Sequence, residues 1–318
     1  MNRTWVFACA TAVLLPLLAA CGQKSVPTDE SVTSEKPLQC GADGGIAVQV
    51  LGSGGPIADD ERASTGYIVW IDGKARALID AGGGTFLRFA QSGARFEDLD
   101  FIGLSHLHAD HSADFPAIIK SANFSPRTRS LSVGGPDGGG VFPGLKDYLQ
   151  ATLGEEGAYA YLGAFLKGTS NKPMLTPREV PRDETTFVYT SENLNIDAMH
   201  VPHGPVPAVA FRVRVEEETI IFATDQNGGN PAFPEFAQDA AILVMHLVVP
   251  EDVTGVARRL HAPPSLVGEI AARANARKLV LSHFMARSLA DLDGNVDLVK
   301  QGYDGQVVVA EDLACIPL

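Results

Sequence analysis

From residue 45 onward, apolar and polar positions alternate in short blocks that read as strands. Residues 46–51, 67–71 and 75–79 are rich in Val, Ile, Leu and Ala, and Asp72-Gly73 between the last two is a hairpin signal, so this segment predicts a meander opening a mixed sheet. A helix is predicted over 85–91, and the apolar run 100–104 ends in polar residues. Residues 112–123, apolar at 115, 118 and 119, read as a second helix with Ser112 as its cap. Strands return at 186–189, 194–199, 208–215, 219–223, 241–245 and 278–281, with a helix over 264–276 before the last. Between the two sets, 134–140 (GGPDGGG) and 168–184 are loop-rich, and 145–166 has helical spacing. The stretch 137–185 is expected to be an insertion over the core, because it is too short to bury a sizeable core of its own. The halves 45–133 and 186–309 each read as sheet plus helices, with no fixed-period repeat.

Composition narrows the class. The 318 residues are 45% hydrophobic, 20% charged and 7% aromatic, which excludes a disordered, collagenous or coiled-coil chain. The net charge of −13 lacks the basic footprint of a protein that grips a polyphosphate backbone, so nucleic acid is not an expected partner. Residues 1–20 carry Arg3, then an apolar stretch from Trp5 to Leu18 interrupted by Pro16. That is the form of an export signal and is too short for a membrane span. Leu18-Ala19-Ala20-Cys21 resembles the bacterial lipobox, in which the cysteine is acylated and becomes the new N-terminus. An ordinary signal peptide with a chance cysteine is the alternative. Gly22 stands where many inner-membrane lipoproteins have a retention Asp, so the resemblance implies a lipid anchor on the periplasmic side, at the outer membrane. Residues 21–42 then form a polar tether and 43–318 one domain. Cys40 and Cys315 are the cysteines left, and in an oxidising compartment they could pair or stay as buried thiols.

The densest chemistry is Ser105-His106-Leu107-His108-Ala109-Asp110-His111, directly after an apolar run. Three imidazoles and a carboxylate on one turn are borderline donors suited to zinc-like ions, and alternate positions can face two adjacent metals. Further histidines stand near the ends of later runs, at 200, 203, 246, 261 and 283.

These residues, together with LGSGGP (51–56), DAGGGT (80–85), VGGPDG (133–138), VPHGPVPAVAFRV (201–213), FATD (222–225) and LSHFMAR (281–287), resemble the metallo-β-lactamase superfamily and its ribonuclease Z-like branch, which also contains exported arylsulfatases. The resemblance implies an α/β fold, a four-layer αββα sandwich in a single domain, with two divalent ions, Zn²⁺ or else Mn²⁺ or iron. It implies His106, His108 and His203 on one ion, and Asp110, His111 and His283 on the other. Asp225 would bridge them, and Asp80 would orient ligands from behind. His200 remains an alternative to His203.

The family has a His-Glu-Ala-Thr stretch after the bridging Asp. Here His246 is followed by Leu247, so His246 reads as core. His261, 22 residues before His283, matches the histidine proposed there to protonate the leaving group. The implied reaction is hydrolysis of an ester by metal-activated water, with Asp110 orienting it. The expected substrate is a small phosphodiester, with an aryl sulfate, a lactone or a β-lactam as alternatives. A non-catalytic metal-binding lipoprotein is a further reading, against which a complete set of seven ligands argues.

Overall fold

The computed structural model describes residues 40–42 and 44–318. The expected signal peptide, Cys21 and the tether up to residue 39 lie outside the described residues. The first half contributes β1 (Ile46–Gly52), β2 (Gly66–Ile71), β3 (Lys74–Ile79), β4 (Phe101–Gly103), β5 (Leu131–Pro136) and β6 (Leu175–Val180). The second contributes β7 (Thr186–Thr190), β8 (Asn195–His203), β9 (Val206–Val215), β10 (Glu218–Phe222), β11 (Ile242–His246), β12 (Lys278–Ser282) and β13 (Gln306–Val309). Each half is one sheet with its strands in chain order, and β14 (Cys315–Pro317) returns to pair with β1.

Both sheets share one plan. β1 to β3 are antiparallel and β3 to β6 parallel, while β7 to β10 are antiparallel and β10 to β13 parallel. The first half carries α1 (Thr85–Gln91), α2 (Ala109–Ser112), α3 (Phe115–Ser121), α4 (Leu145–Leu153) and α5 (Ala164–Lys167). The second carries α6 (Phe233–Phe236), α7 (Gly255–Leu260), α8 (Pro264–Arg273), α9 (Ala286–Leu289) and α10 (Leu292–Gly302).

Strand alternation explains why the apolar runs are nearly continuous. In β2, Tyr67 and Val69 enter the core shared with Phe211 and Phe222 of the other sheet, whereas Ile68 and Trp70 enter the core shared with Phe115 and Ile118 of α3. Both faces are therefore covered, which gives the four layers of the expected αββα sandwich. Where the sheets touch, a Cβ added to Gly103 would lie 2.9 Å from the Phe211 ring, so this position admits no side chain without displacing the ring.

Three expectations are corrected. The helix placed at 112–123 is the shorter α3, and Ser112 ends the preceding α2 instead of capping α3. Its Oγ bonds the His108 carbonyl, and Pro116 sets the start of α3 after Asp114. The helical spacing over 145–166 is broken after Leu153 by Gly154 and resumes only in short turns. Residues 137–185 are not all loop and helix over the core, since β6 pairs with β5 along six positions and closes the first sheet. Neither β5 nor β6 is announced by alternation: β5 is Gly-rich, and β6 carries Pro177, which an edge strand tolerates.

The C-terminal segment fastens the start of the domain. Asp312 accepts bonds from Ser53 N (3.0 Å), Ser53 Oγ (2.9 Å) and Ala63 N (2.9 Å) and pairs with Arg88 at 3.1 Å, holding the β1–β2 connection. Cys40 and Cys315 are joined in a disulfide, with Cα atoms 5.5 Å apart across 275 residues of chain. A crosslink closing so long a loop restricts the unfolded chain strongly. Replacing both cysteines with Ser should cost about 2–4 kcal/mol, read as a lowered melting temperature that reductant no longer changes. Equal melting of wild type and variant would show that the crosslink carries no stability.

Candidate metal centre

The sequence-implied metal-site residues stand at or just beyond the carboxyl ends of strands, while His261 caps the end of α7. Asp80 follows β3, His106 to His111 follow β4, and His203 ends β8. Asp225 follows β10, His246 ends β11, and His283 follows β12. Open α/β sheets bring such ends to one crevice. Three of these strands turn sharply at the site: Asp80, Thr224 and His283 adopt φ of 60°, 55° and 58°. A left-handed backbone at non-glycine residues costs roughly 1–3 kcal/mol each and persists only where surroundings enforce it. The DAGGGT turn also presses on the histidine loop, since a Cβ on Gly82 would fall 2.1 Å from the Asp110 carbonyl oxygen.

Asp225, 2% exposed, is the hub. Its Oδ2 lies 3.6 Å from His203 Nε2, 3.7 Å from His111 Nε2 and 3.9 Å from His106 Nε2. Its Oδ1 lies 3.3 Å from His283 Nε2, 3.8 Å from His261 Nδ1 and 2.6 Å from His246 Nδ1. On one side His106, His108 and His203 bring one nitrogen each together, and on the other an Asp110 oxygen meets a nitrogen each of His111 and His283, with the atoms of each trio within 4.8 Å of one another. His200 is turned away: its Nε2 meets the Val180 carbonyl at 2.8 Å and Asp137 at 3.2 Å.

The outer ring nitrogens are already engaged. His111 Nδ1 meets Asp80 Oδ2 at 2.8 Å, His203 Nδ1 the Leu260 carbonyl at 3.0 Å, His283 Nδ1 Thr65 Oγ1 at 2.5 Å, and His106 Nδ1 Ser105 Oγ at 3.2 Å. Asp80 also accepts from Ser105 N and Oγ at 2.7 and 2.8 Å. These bonds aim the Nε2 atoms inward. Among the described residues, the buried His111 Nε2, His203 Nε2 and His261 Nδ1 have no hydrogen-bond partner. Buried polar atoms are ordinarily satisfied, and orphaned imidazole nitrogens facing a carboxylate match a divalent cation.

Protonation points the same way. Burial pushes the His106 and His108 imidazoles below their ordinary value, His246 down to about 4 and His261 down to about 3. Burial disfavours the Asp225 anion, but His283 and His261 outweigh it and hold the carboxyl well below the usual range. For His111, burial is outweighed by Asp80 and Asp225, which raise the imidazole well above its ordinary value, so metal uptake there must release a proton.

His246, expected as core, is buried as expected and also contacts the cluster. With Nδ1 donating to Asp225, its Nε2 is an acceptor for the Tyr67 hydroxyl at 3.2 Å. Its signal was present in the family pattern, and the apolar Leu247 beside it obscured it. Leu247 itself is fully buried in the core. Over the centre lies a cleft of about 400 Å³, lined by His108, Asp110, His203, Asp225, His261 and His283 together with Pro56, Ala109, Leu260, Met285 and Arg287.

Two mixed sheets under helices, with a buried His/Asp cluster at their shared carboxyl edge, define a metal-binding αββα sandwich. The chain belongs to the beta-lactamase superfamily, whose domain model, "Beta-lactamase superfamily domain", matches residues 75–284. A ribonuclease Z from Mycobacterium marinum is 27% identical over 281 residues, covering 84% of this chain and 97% of that protein. Among solved structures, the metallo-beta-lactamase fold protein YhfI from Bacillus subtilis aligns with a TM-score of 0.65 and 22% identity, over 85% of this chain and 98% of that one. The short form of human tRNase Z aligns with a TM-score of 0.65 and 19% identity, over 86% of this chain and all of that one. At these identities the two structures speak to the fold alone. The family's fold normally binds divalent metals.

Asp80→Ala should free Ser105 and His111 from their anchor and weaken zinc binding about 10- to 100-fold, measured by competition with a chromophoric chelator. Unchanged affinity would assign Asp80 to the fold and not to the centre.

Proposed function

We propose that this chain is a dinuclear, zinc-dependent hydrolase that cleaves a small phosphodiester. The observation that carries the reading is the pair of three-donor groups flanking one buried carboxylate at the floor of an open cleft. A storage or structural site would be closed, with no donor-lined opening for a substrate. In this reading His106, His108 and His203 hold one ion, Asp110, His111 and His283 the other, and Asp225 lies between them. Nitrogen-rich donors with carboxylates suit zinc, with Mn²⁺ or iron as less matched occupants.

The chemistry such ions supply is activation of water and neutralisation of charge building on the ester. The chain's own groups do the rest. Asp110, at 9% exposure the least buried of the cluster's carboxylates, accepts a proton bond from the attacking water and orients it. His261 Nδ1, buried and without a partner, donates to the departing oxygen. Burial disfavours its charged form, and an anionic ester beside it shifts that balance back towards the proton. Pro56, Leu260 and Met285 keep bulk water from the cleft walls.

The ribonuclease Z relatives act, by name, on RNA. The −13 charge of this chain favours a small diester over a polynucleotide. The test is turnover by the zinc-loaded domain on bis(4-nitrophenyl) phosphate, an aryl sulfate, a lactone, nitrocefin and a precursor transfer RNA. The diester should be cleaved fastest, and preference for any other arm overturns the substrate class. Asp225→Ala should lower bound metal from about two per chain and abolish turnover. His261→Ala should keep both ions and lose more rate on alkyl than on nitrophenyl diesters, by less than the usual 10²- to 10⁴-fold for a positioned acid. Equal loss on both would assign His261 to structure.

We further propose that Cys21 is acylated and tethers the domain to a bacterial membrane from its periplasmic side, on the strength of Leu18-Ala19-Ala20-Cys21. Cys21→Ser should leave unprocessed precursor or release the protein from the membrane fraction. Wild-type protein that is soluble and carries no lipid mass would refute the anchor.

A further inference from the structure

The metal cleft has a neighbour. A second cavity of about 500 Å³ shares His203 with it and extends along the β8–β9 hairpin as far as Arg182, within the size range of small-molecule sites. Pro202, Pro205, Pro207 and Pro231 line it with Val206, and His200 and Asn230 stand among them, so its surface is mixed. Proline rings are rigid and their nitrogens carry no donor, so they add flat apolar faces between the polar groups. The one cation among the lining residues is Arg182, whose side chain is 53% exposed. Its ion-pair partner Asp137 stands 3.9 Å away, and the same Asp137 oxygen lies closer to His200 Nε2, at 3.2 Å. The guanidinium is thus weakly engaged but well placed. A Cβ added to Gly139 would fall 1.8 Å from Arg182 Nη2, so the guanidinium rests against bare backbone of the GGPDGGG loop.

We infer that this trough receives the part of the substrate beyond the scissile bond, a flat apolar ring bearing an anionic substituent, and that Arg182 binds that anion. The inference rests on the reading of the metal cleft as an ester hydrolase site. Three features carry it. One cavity is lined by both His203 and Arg182, which sets a guanidinium on the same trough as a residue of the candidate centre. The four prolines give a ring flat faces to lie against. The far end supplies the planar, fork-shaped donor that carboxylates and phosphates pair with best. Arg182 is on this account a specificity residue and takes no part in bond cleavage.

The test compares two chromogenic diesters on the zinc-loaded protein, phenyl 4-nitrophenyl phosphate and its analogue with a 4-carboxylate on the phenyl ring. Wild type should show a KM about fivefold lower for the carboxylated diester, the scale of a partly exposed charge pair, with similar kcat. Arg182→Ala should bring the ratio of the two KM values to about one, and Arg182→Lys should restore part of it. Gly139→Ala, which displaces the guanidinium without removing its charge, should move the ratio in the same direction. A wild-type ratio of one, or a ratio that survives Arg182→Ala, overturns the inference. If neither diester is hydrolysed, the ester-hydrolase reading fails separately, and calorimetry with 4-carboxyphenyl methylphosphonate then decides the trough. Binding weakened about fivefold by Arg182→Ala upholds it, and no binding to wild type overturns it.

Discussion

A carboxylate buried among six imidazoles is the constraint on which the rest of the site depends. Asp225 sits within 3.9 Å of ring nitrogens from His106, His111, His203, His246, His261 and His283, drawn from both halves of the chain. Burying an anion is costly unless it is paired, and here the His283 and His261 rings hold the carboxyl well below its usual range. The inward nitrogens of His111 and His203 have no hydrogen-bond partner among the described residues, which leaves them free to share a cation's charge. The outward-facing bonds of the histidines, to Asp80, Thr65, Ser105 and a backbone carbonyl, leave inward nitrogens ready to share that charge.

Such an arrangement needs a rigid frame, and the two sheets supply it. Strands covered on both faces carry the donors on their carboxyl ends, and the left-handed residues at 80, 224 and 283 turn the chain into the site at those ends. The backbone strain there is borne by the surrounding core. The β1–β2 connection, clamped by Asp312, reinforces one wall: Gly55 N donates to the Phe284 carbonyl and Phe284 N to that of Ser53, beside His283. The disulfide at Cys315 lies three residues beyond this clamp, so the C-terminus contributes to the site without touching it.

The approach to the centre differs on its two flanks. Pro56, Leu260 and Met285 give the metal cleft apolar walls, with Arg287 at its edge. The hairpin trough beside it is lined by prolines together with His200, Asn230 and Arg182, a more polar mixture than the cleft.

How much of this was legible beforehand depended on the range of the interactions. The H-x-H-x-D-H turn, the strands 46–51 and 67–71 and the helix 85–91 are local patterns, readable from spacing and periodicity alone. β5 and β6 were hidden because glycines and Pro177 carry no alternation; they are strands only because a neighbour offers its edge. The choice between His200 and His203 turns on a single face of β8, and β-strand side chains reverse direction at every residue, so the register with β9 decided it. His246 reads as core and is buried, and only the fold shows that its ring also bonds Asp225. By itself, then, the sequence determined which residues could bind metal and that each half would build a sheet with helices, the four layers being implied by family resemblance alone. Only the tertiary structure decided which nitrogens meet, that Cys40 reaches Cys315, and that the β8–β9 hairpin opens beside the centre. Donor chemistry belongs to each residue, whereas a site exists only once long-range packing has closed the loops between residues 80 and 283.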